Sequence, residues 1–450
     1  MYAALIRCLA LGLALLPLAL TAQPSPPAAP RPAPNPVWLG QQLLESAVLR
    51  RHHVGLSLVD VATGQQLFGF NEDHYFTPAS TMKLLSLYAG LRLLPDSLPS
   101  LHYVLRADTL LFWGTGDPTL LHGDVPSRRA YEFLRTRPEK LFYATVPAPP
   151  SFGPGWSWDD YGYYFQPERG PLPIYGNTVR FYGRPAQAPR VLPAFFRPLT
   201  APAPPTLANP ANDHVRRPLE ENQFLVFPAT RNWVDEVPFR TSPGLLLQLL
   251  QDTLRRPVLA AGPLCLRPQD SVRTLRGLPV DSLYRRMIRV SDNFLAEQLL
   301  LMCSSALGAD SLSPARTIRA MQGNYLRTLP DAPVWVDGSG LSRLNLLTPR
   351  SLTAVLLLLH QQIQEPRLLS LLAAGGGQGT LHRAYLAGKT GPWLWGKTGT
   401  LTNTHNLAGY LRTRSGRLVA FSFFNNGYVV PTSDIRREME RVLTLVRDRM

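Results

Sequence analysis

Three short motifs in a fixed order constrain this chain more than any other feature. They are Ser80-Thr81-Met82-Lys83, Ser291-Asp292-Asn293 and Lys397-Thr398-Gly399-Thr400. Of the 46 basic residues, only Lys83, Lys140, Lys389 and Lys397 are lysine, and the rest are arginine. Two of those lysines stand inside the motifs. A buried lysine can lose its proton, whereas arginine effectively cannot. A neutral primary amine is what a serine nucleophile needs where no histidine acts as its base.

The local pattern suits that chemistry. Thr77 is expected to cap a helix with Pro78 in its first position, and helix formers run on to about Leu94. Ser80 then falls in the first turn, with Lys83 three residues on and on the same face. Ser80 is the candidate nucleophile and Lys83 its base. A lysine pKa of about 10.4 must fall by roughly three units, an electrostatic cost of about 4 kcal/mol, to serve near neutrality. Burial and a second cation, Lys397, both push that way. Ser291 is placed to relay a proton, and Asn293 offers an amide to a substrate peptide. Thr398, Gly399 and Thr400 form a substrate-binding edge beside Lys397. The backbone N–H groups of Ser80 and Thr400 form an oxyanion hole. Each motif alone has an ordinary reading: a helix-surface pair, a capped loop, a turn into a strand. The ordered set of three does not.

Residues 1–22 read as an export signal: Arg7 is the one charge, an apolar run spans Cys8 to Leu20, and Leu20-Thr21-Ala22 suits cleavage. An uncleaved N-terminal anchor is the rival reading, and no later stretch could span a bilayer. The Pro/Ala-rich residues 23–36 read as an extended leader. The formal net charge is +15, and +14 without the signal. Such a surplus suits an anionic partner. The export signal and the lack of a nucleic-acid motif point away from nucleic acid and toward the cell wall. Cys265 and Cys303 remain after cleavage, and pairing or two thiols are both open. No histidine spacing suggests a metal site, His52-His53 reads as surface, and no cofactor is implied.

Residues 37–95 read as the first part of an α/β domain: a short helix over Trp38–Leu49, a hairpin of Val54–Val61 and Gln65–Asn71, and the Ser80 helix. Residues 96–279 are dense in proline and aromatics and predict an inserted β-rich region of one or two small domains with short strands. Residues 280–450 complete the α/β domain. Helical pattern covers Val280–Leu301 and Thr348–Gln362, Leu407–Thr413 pairs with Arg417–Asn425 about Ser415-Gly416, and a last helix follows Pro431.

Beyond the three motifs, the chain carries Gly114-Thr-Gly-Asp-Pro-Thr-Leu120, Trp156-Ser-Trp-Asp-Asp160, Val336-Asp-Gly-Ser-Gly-Leu-Ser-Arg343, Thr348-Pro-Arg350 and Gly379-Thr-Leu381. With them it resembles the class C low-molecular-mass penicillin-binding proteins, D-alanyl-D-alanine carboxypeptidase/endopeptidases, over nearly the whole mature chain. The resemblance implies a penicillin-recognising serine transpeptidase/β-lactamase-like fold, an antiparallel sheet with helices on both faces, interrupted between Lys83 and Ser291. It implies peptidoglycan stem peptides as substrate, β-lactam antibiotics as covalent inhibitors, and a periplasmic or cell-envelope location. Gly114–Leu120 reads as a turn with an Asp anchor, Trp156–Asp160 as an aromatic cluster, and Asp337 to Arg343 as a loop shaping the site. The second Lys-Thr-Gly, at Lys389, departs from the family pattern. It reads as a loop near the cleft mouth with Trp393 and Trp395.

Two other functions share these residues. One is a β-lactamase or esterase on the same fold. Between Asn293 and Lys397 no Glu stands in an E-x-x-L-N context, and Glu365 is followed by Pro-Arg-Leu-Leu, so slow loss of an acyl group is expected. The other is a non-enzymatic cell-wall-binding scaffold, which an intact lysine pair in an arginine-rich chain disfavours.

Overall fold

The computed structural model describes residues 36–450 except 210, 309–311 and 389–390. The export signal, nearly all of the leader and Lys389 lie outside the described residues.

The two ends of the chain meet in one sheet. His53–Asp60 pairs antiparallel with Leu418–Asn426, from His53 opposite Asn426 to Asp60 opposite Val419. The six-stranded sheet runs in the order Ala373–Ala374, Leu394–Leu401, Thr404–Arg412, Leu418–Asn426, His53–Asp60, Gln66–Phe70. Its pairings are antiparallel throughout. Strand side chains alternate between faces, and both faces here are apolar. Leu407, Leu411, Val419 and Phe421 pack toward the first helix, Val37–Leu44, and the last, Thr432–Arg449. Ala408, Tyr410, Ala420 and Phe424 pack toward the helices Lys83–Leu93, Asn293–Ala306 and Pro349–Gln362. The expected antiparallel sheet with helices on both faces is present, and both hairpins form where the turn residues place them.

Between Leu93 and Val280 the described residues build three further sheets. One is five-stranded and mixed, ordered Val258–Pro263, Lys140–Thr145, Thr109–Gly114, Ser97–Arg106, Arg273–Pro279, and the other two have three strands each. The helices Arg129–Thr136 and Pro243–Leu254 share its core through Leu134, Leu249 and Leu250. The strands are not uniformly short. Ser97–Arg106 runs for ten residues, because Leu98, Leu101 and Val104 are all fully buried. Its Pro99 falls where the register against Arg273–Pro279 shifts, the place where a strand tolerates proline.

Two helical expectations are corrected at the places that matter for the site. The pattern over Val280–Leu301 breaks into Val280–Arg289 and Asn293–Ala306. Ser291 takes φ +66° and Asp292 caps the second helix through Leu295 N. The Ser80 segment is a 3-10 turn, Ala79–Met82, with the α-helix starting at Lys83. Thr77 is no cap: its N–H donates to Asn426 Oδ1 and its carbonyl accepts from Asn406 Nδ2. Ala79, just before Ser80, has φ +48°, a left-handed conformation that costs a non-glycine residue about 1–3 kcal/mol.

Both described cysteines are free thiols. Cys265 is exposed and Cys303 lies in the helical core, where burial pushes its thiol pKa up. His53 is exposed, as expected of a surface residue, while His52 is half-buried. His52 bonds Asn425 at 3.0 Å, and His53 stacks on Phe76 with ring centroids 3.9 Å apart.

Candidate active site

The 3-10 turn, the helix break and one strand bring the three motifs together. The strand Leu394–Leu401 lies against the Ser80 turn so closely that a Cβ on Gly399 would stand 2.6 Å from Pro78 O and 3.0 Å from Ser80 N. Ser80, Ser291, Asn293 and Thr400 all line one cleft of about 610 Å³.

Lys83 is fully buried. Its Nζ donates to Ser80 Oγ at 2.9 Å, to Asn293 Oδ1 at 2.6 Å and to Ser339 O at 2.7 Å. Burial lowers its pKa to about 8, against the opposing charges of Asp337, Asp292 and Glu297. The expected push from Lys397 is not found on Lys83. It acts in the other direction: Lys397 is held well below its usual value by burial first and by the Lys83 charge second. Lys397 Nζ donates to Ser291 Oγ at 2.9 Å and to Thr398 O. Two half-circuits result, Ser80–Lys83–Asn293 and Ser291–Lys397, both facing the cleft. Asn293 Nδ2 donates to Phe165 O at 3.0 Å, so its amide is pinned with the oxygen toward Lys83.

The loop expected to shape the site lies beside it, with Gly340 and Leu341 lining the cleft, while several groups that support that loop escaped the sequence reading. The loop after Trp335 wraps around Asp337, which is fully buried. Asp337 Oδ1 accepts from Gly340 N and Asn345 Nδ2, and Oδ2 accepts from Ser342 N and from Trp156 Nε1 at 2.9 Å. The tryptophan expected to sit in a local aromatic cluster therefore ties the inserted region to the loop that supplies Ser339 O. Glu297 accepts from Ser339 N and from Arg169 in a buried ion pair. Gly340, at φ +76°, leaves no room for a Cβ, which would stand 1.8 Å from Ala79 O. His405 Nδ1 lies 2.8 Å from Thr400 Oγ1, because the two pair across adjacent strands. Burial, then Arg436 and Lys397, lower the His405 pKa to about 3, so the ring beside Thr400 is neutral.

Asp117 is the anchor expected in its turn: Oδ2 accepts from Ser100 Oγ and Thr119 Oγ1, and Oδ1 from Thr119 N. Trp393 is not at the cleft mouth. It is buried against Tyr385, under the Arg447 guanidinium. Among the described residues no three His, Cys, Asp or Glu side chains gather as a metal site. No described helix is long and apolar enough to cross a membrane.

Residues 39–190 and 259–447 match the model of the D-Ala-D-Ala carboxypeptidase 3 (S13) family. The chain belongs to this family. The unmatched residues 191–258 lie within the inserted region and carry one of its three-stranded sheets whole. This S13 member is 33% identical over 176 residues to carboxypeptidase DacB of Mycolicibacterium smegmatis. It is 29% identical over 179 residues to D-alanyl-D-alanine carboxypeptidase DacB of Haemophilus influenzae. Those matches span 36% of this chain in each case, and 37% and 34% of the relatives' lengths. Penicillin binding protein 4 (dacB) of Haemophilus influenzae has the same fold, with a TM-score of 0.69, covering 92% of this chain and 99% of that one at 19% identity. That protein has also been solved with a bound β-lactam.

Proposed function

We propose that this S13 chain is a serine DD-peptidase that cleaves D-Ala-D-Ala termini or D-Ala cross-links of peptidoglycan through an acyl-enzyme on Ser80. One observation carries the reading: a fully buried lysine, its pKa lowered to about 8, stands 2.9 Å from the Ser80 hydroxyl at the floor of an open cleft. In the proposed path, neutral Lys83 takes the Ser80 proton as Oγ bonds to the carbonyl carbon of the penultimate D-Ala. The oxyanion is held by the N–H groups of Ser80 and Thr400, a type of stabilisation worth about 10²–10³ in rate per donor. The proton then reaches the leaving amine through Ser291, whose Oγ lies 2.9 Å from Lys397 Nζ. Asn293 receives the substrate backbone, while Thr398, Gly399 and Thr400 receive the terminal carboxylate beside Lys397. Water completes the cycle by hydrolysing the ester. Proton transfer and ester chemistry call for no cofactor. Penicillin enters the same path and leaves a persistent acyl group, because no Glu stands in an E-x-x-L-N context to speed its hydrolysis. The apolar segment Cys8 to Leu20 supports export to the cell envelope, where the substrate lies.

The test is intact-mass measurement and peptide mapping after incubation with benzylpenicillin, together with D-alanine release from a stem pentapeptide. Ser80 should carry the adduct for minutes or longer, and D-alanine should appear. Lys83→Arg should abolish both with an unchanged melting curve, since arginine keeps the charge and cannot act as a base. Labelling at another residue, or normal acylation of Lys83→Arg, overturns the assignment. Rapid turnover of the adduct would favour a β-lactamase instead.

A further inference from the structure

A second groove opens from the catalytic cleft on the far side of Ser291. It encloses about 460 Å³, and Asp124, Arg286 and Val290 line both spaces. Its wall is the helix Val280–Arg289, which presents Arg285 and Arg289 to it. These two guanidiniums are one helical turn apart, a spacing at which like charges repel. Neither has a carboxylate partner among the described residues. The acids nearby are already engaged: Asp124 pairs with Arg180 and Arg286, Asp292 with Arg286, and Asp281 with Arg367. Arg289 donates through Nη2 to Ser370 O, but its Nε is buried without any partner. Burial first, and the Arg285 charge second, hold the Arg289 guanidinium below its usual pKa. The Gly379-Thr380 turn closes the groove and is fastened to the same helix, with Thr380 N donating to Arg289 O at 2.9 Å. Gly379, at φ +89°, lets that turn approach: a Cβ there would stand 2.3 Å from Arg289 O.

The unpaired arginines, Arg289 partly desolvated and Arg285 exposed, repel each other at a cost that an anion removes, and arginine forks suit carboxylates. We propose that the Arg285–Arg289 groove is a binding subsite for carboxylate groups on the part of a cross-linked wall peptide that extends beyond the scissile bond. The inference rests on the DD-peptidase reading and deepens it. A ligand lying past Ser291 enters the groove without leaving the protein surface, because the two spaces share a wall. The subsite would make the enzyme favour acidic, cross-linked substrates over short neutral ones.

Binding separates this idea from catalysis. Ser80→Ala protein is titrated by calorimetry with a cross-linked muropeptide dimer, with the same dimer after amidation of its side carboxylates, and with a neutral acyl-tripeptide ending in D-Ala-D-Ala. Arg285→Gln/Arg289→Gln should weaken binding of the acidic dimer about tenfold and flatten its dependence on salt. It should leave the other two ligands within about twofold. The single variant Arg285→Gln, which leaves the Arg289 bond to Ser370 O in place and is expected to cost a few-fold, covers the case in which the double variant melts early. Equal losses for all three ligands indicate a structural role and overturn the subsite, as does an unchanged affinity for the acidic dimer. Benzylpenicillin labelling of unmodified protein reports separately on Ser80. A labelled Ser80 with no preference for the acidic dimer refutes the subsite alone. An unlabelled Ser80 refutes the peptidase reading.

Discussion

The rate at which benzylpenicillin acylates Ser80 should climb with pH across the titration of Lys83. Only the neutral amine can accept the Ser80 proton, and burial has brought its pKa to about 8. The neutral fraction is then about 1% at pH 6, about 10% at pH 7 and about 90% at pH 9. The second-order acylation constant should rise roughly ninetyfold over that span. The sign can be tested at one atom. Asp292 raises the Lys83 pKa by its charge, and it also caps the helix that begins at Asn293. Asparagine caps helices as well as aspartate does, so Asp292→Asn removes the charge and keeps the cap. The midpoint should move to lower pH and the rate at pH 7 should increase, with the high-pH plateau kept. The assay is quenched-flow mass spectrometry from pH 6 to pH 9, with a melting curve at each point. A flat profile, a rate that falls with pH, or an upward shift in Asp292→Asn would show that Lys83 is not the base.

The doubled Lys-Thr-Gly supplies another test. Only one copy can offer an N–H after its glycine, because Pro392 follows the first and Thr400 the second. Lys397→Ala should cripple D-alanine release, while Lys389→Ala should change it by less than about tenfold; the reverse ranking refutes the choice of Thr400 for the oxyanion hole. Trp156→Phe keeps an aromatic ring and removes the donor to buried Asp337. Asp337 Oδ2 keeps its bond from Ser342 N but loses one hydrogen bond to a buried charged group, worth about 1.5–3 kcal/mol, so calorimetric melting should drop by a few degrees and acylation should slow. An unchanged melting temperature would mean that the loop does not depend on this bond.

The fold is legible where periodicity and turn chemistry agree. The strand pairs around Thr63-Gly64 and Ser415-Gly416 need only alternation and a glycine at positive φ, here +70° and +89°. Where helical pattern runs straight through a functional break, the reading fails. Apolar spacing continues from Leu283 through Ile288 to Leu295, Leu299 and Met302, all fully buried, and nothing in that spacing reveals that Ser291 turns into the left-handed region. The site imposes the break, because Ser291 must meet Lys397 while Asn293 meets Lys83. Ala79 is the same case on the other wall, a strained residue whose conformation follows from the contacts of its neighbours.

The side chains proposed for catalysis stand out as motifs, whereas most of the contacts that support them do not, and the reason is physical. Ser80 and Lys83 lie three residues apart, so helical geometry alone brings them together. Lys83 and Ser339 O lie 256 residues apart, and Trp156 and Asp337 lie 181 apart. Such pairs are set by tertiary packing, which leaves no periodic trace in the sequence. The charge balance shows the consequence. From sequence alone, a second lysine is the natural way to lower the first. In the fold, Lys83 is surrounded by three carboxylates that raise its pKa, and desolvation still outweighs them. Each acid has another duty: Asp292 caps a helix, Asp337 ties the loop, and Glu297 holds Ser339 N and Arg169. The proposed base, Lys83, is therefore tuned by how completely the loop at Ser339 seals it from water. A substitution that loosens that loop, such as Trp156→Phe, should raise the midpoint of the acylation profile, whereas removing a nearby negative charge should lower it. Opposite shifts in these two variants would distinguish tuning by burial from tuning by charge.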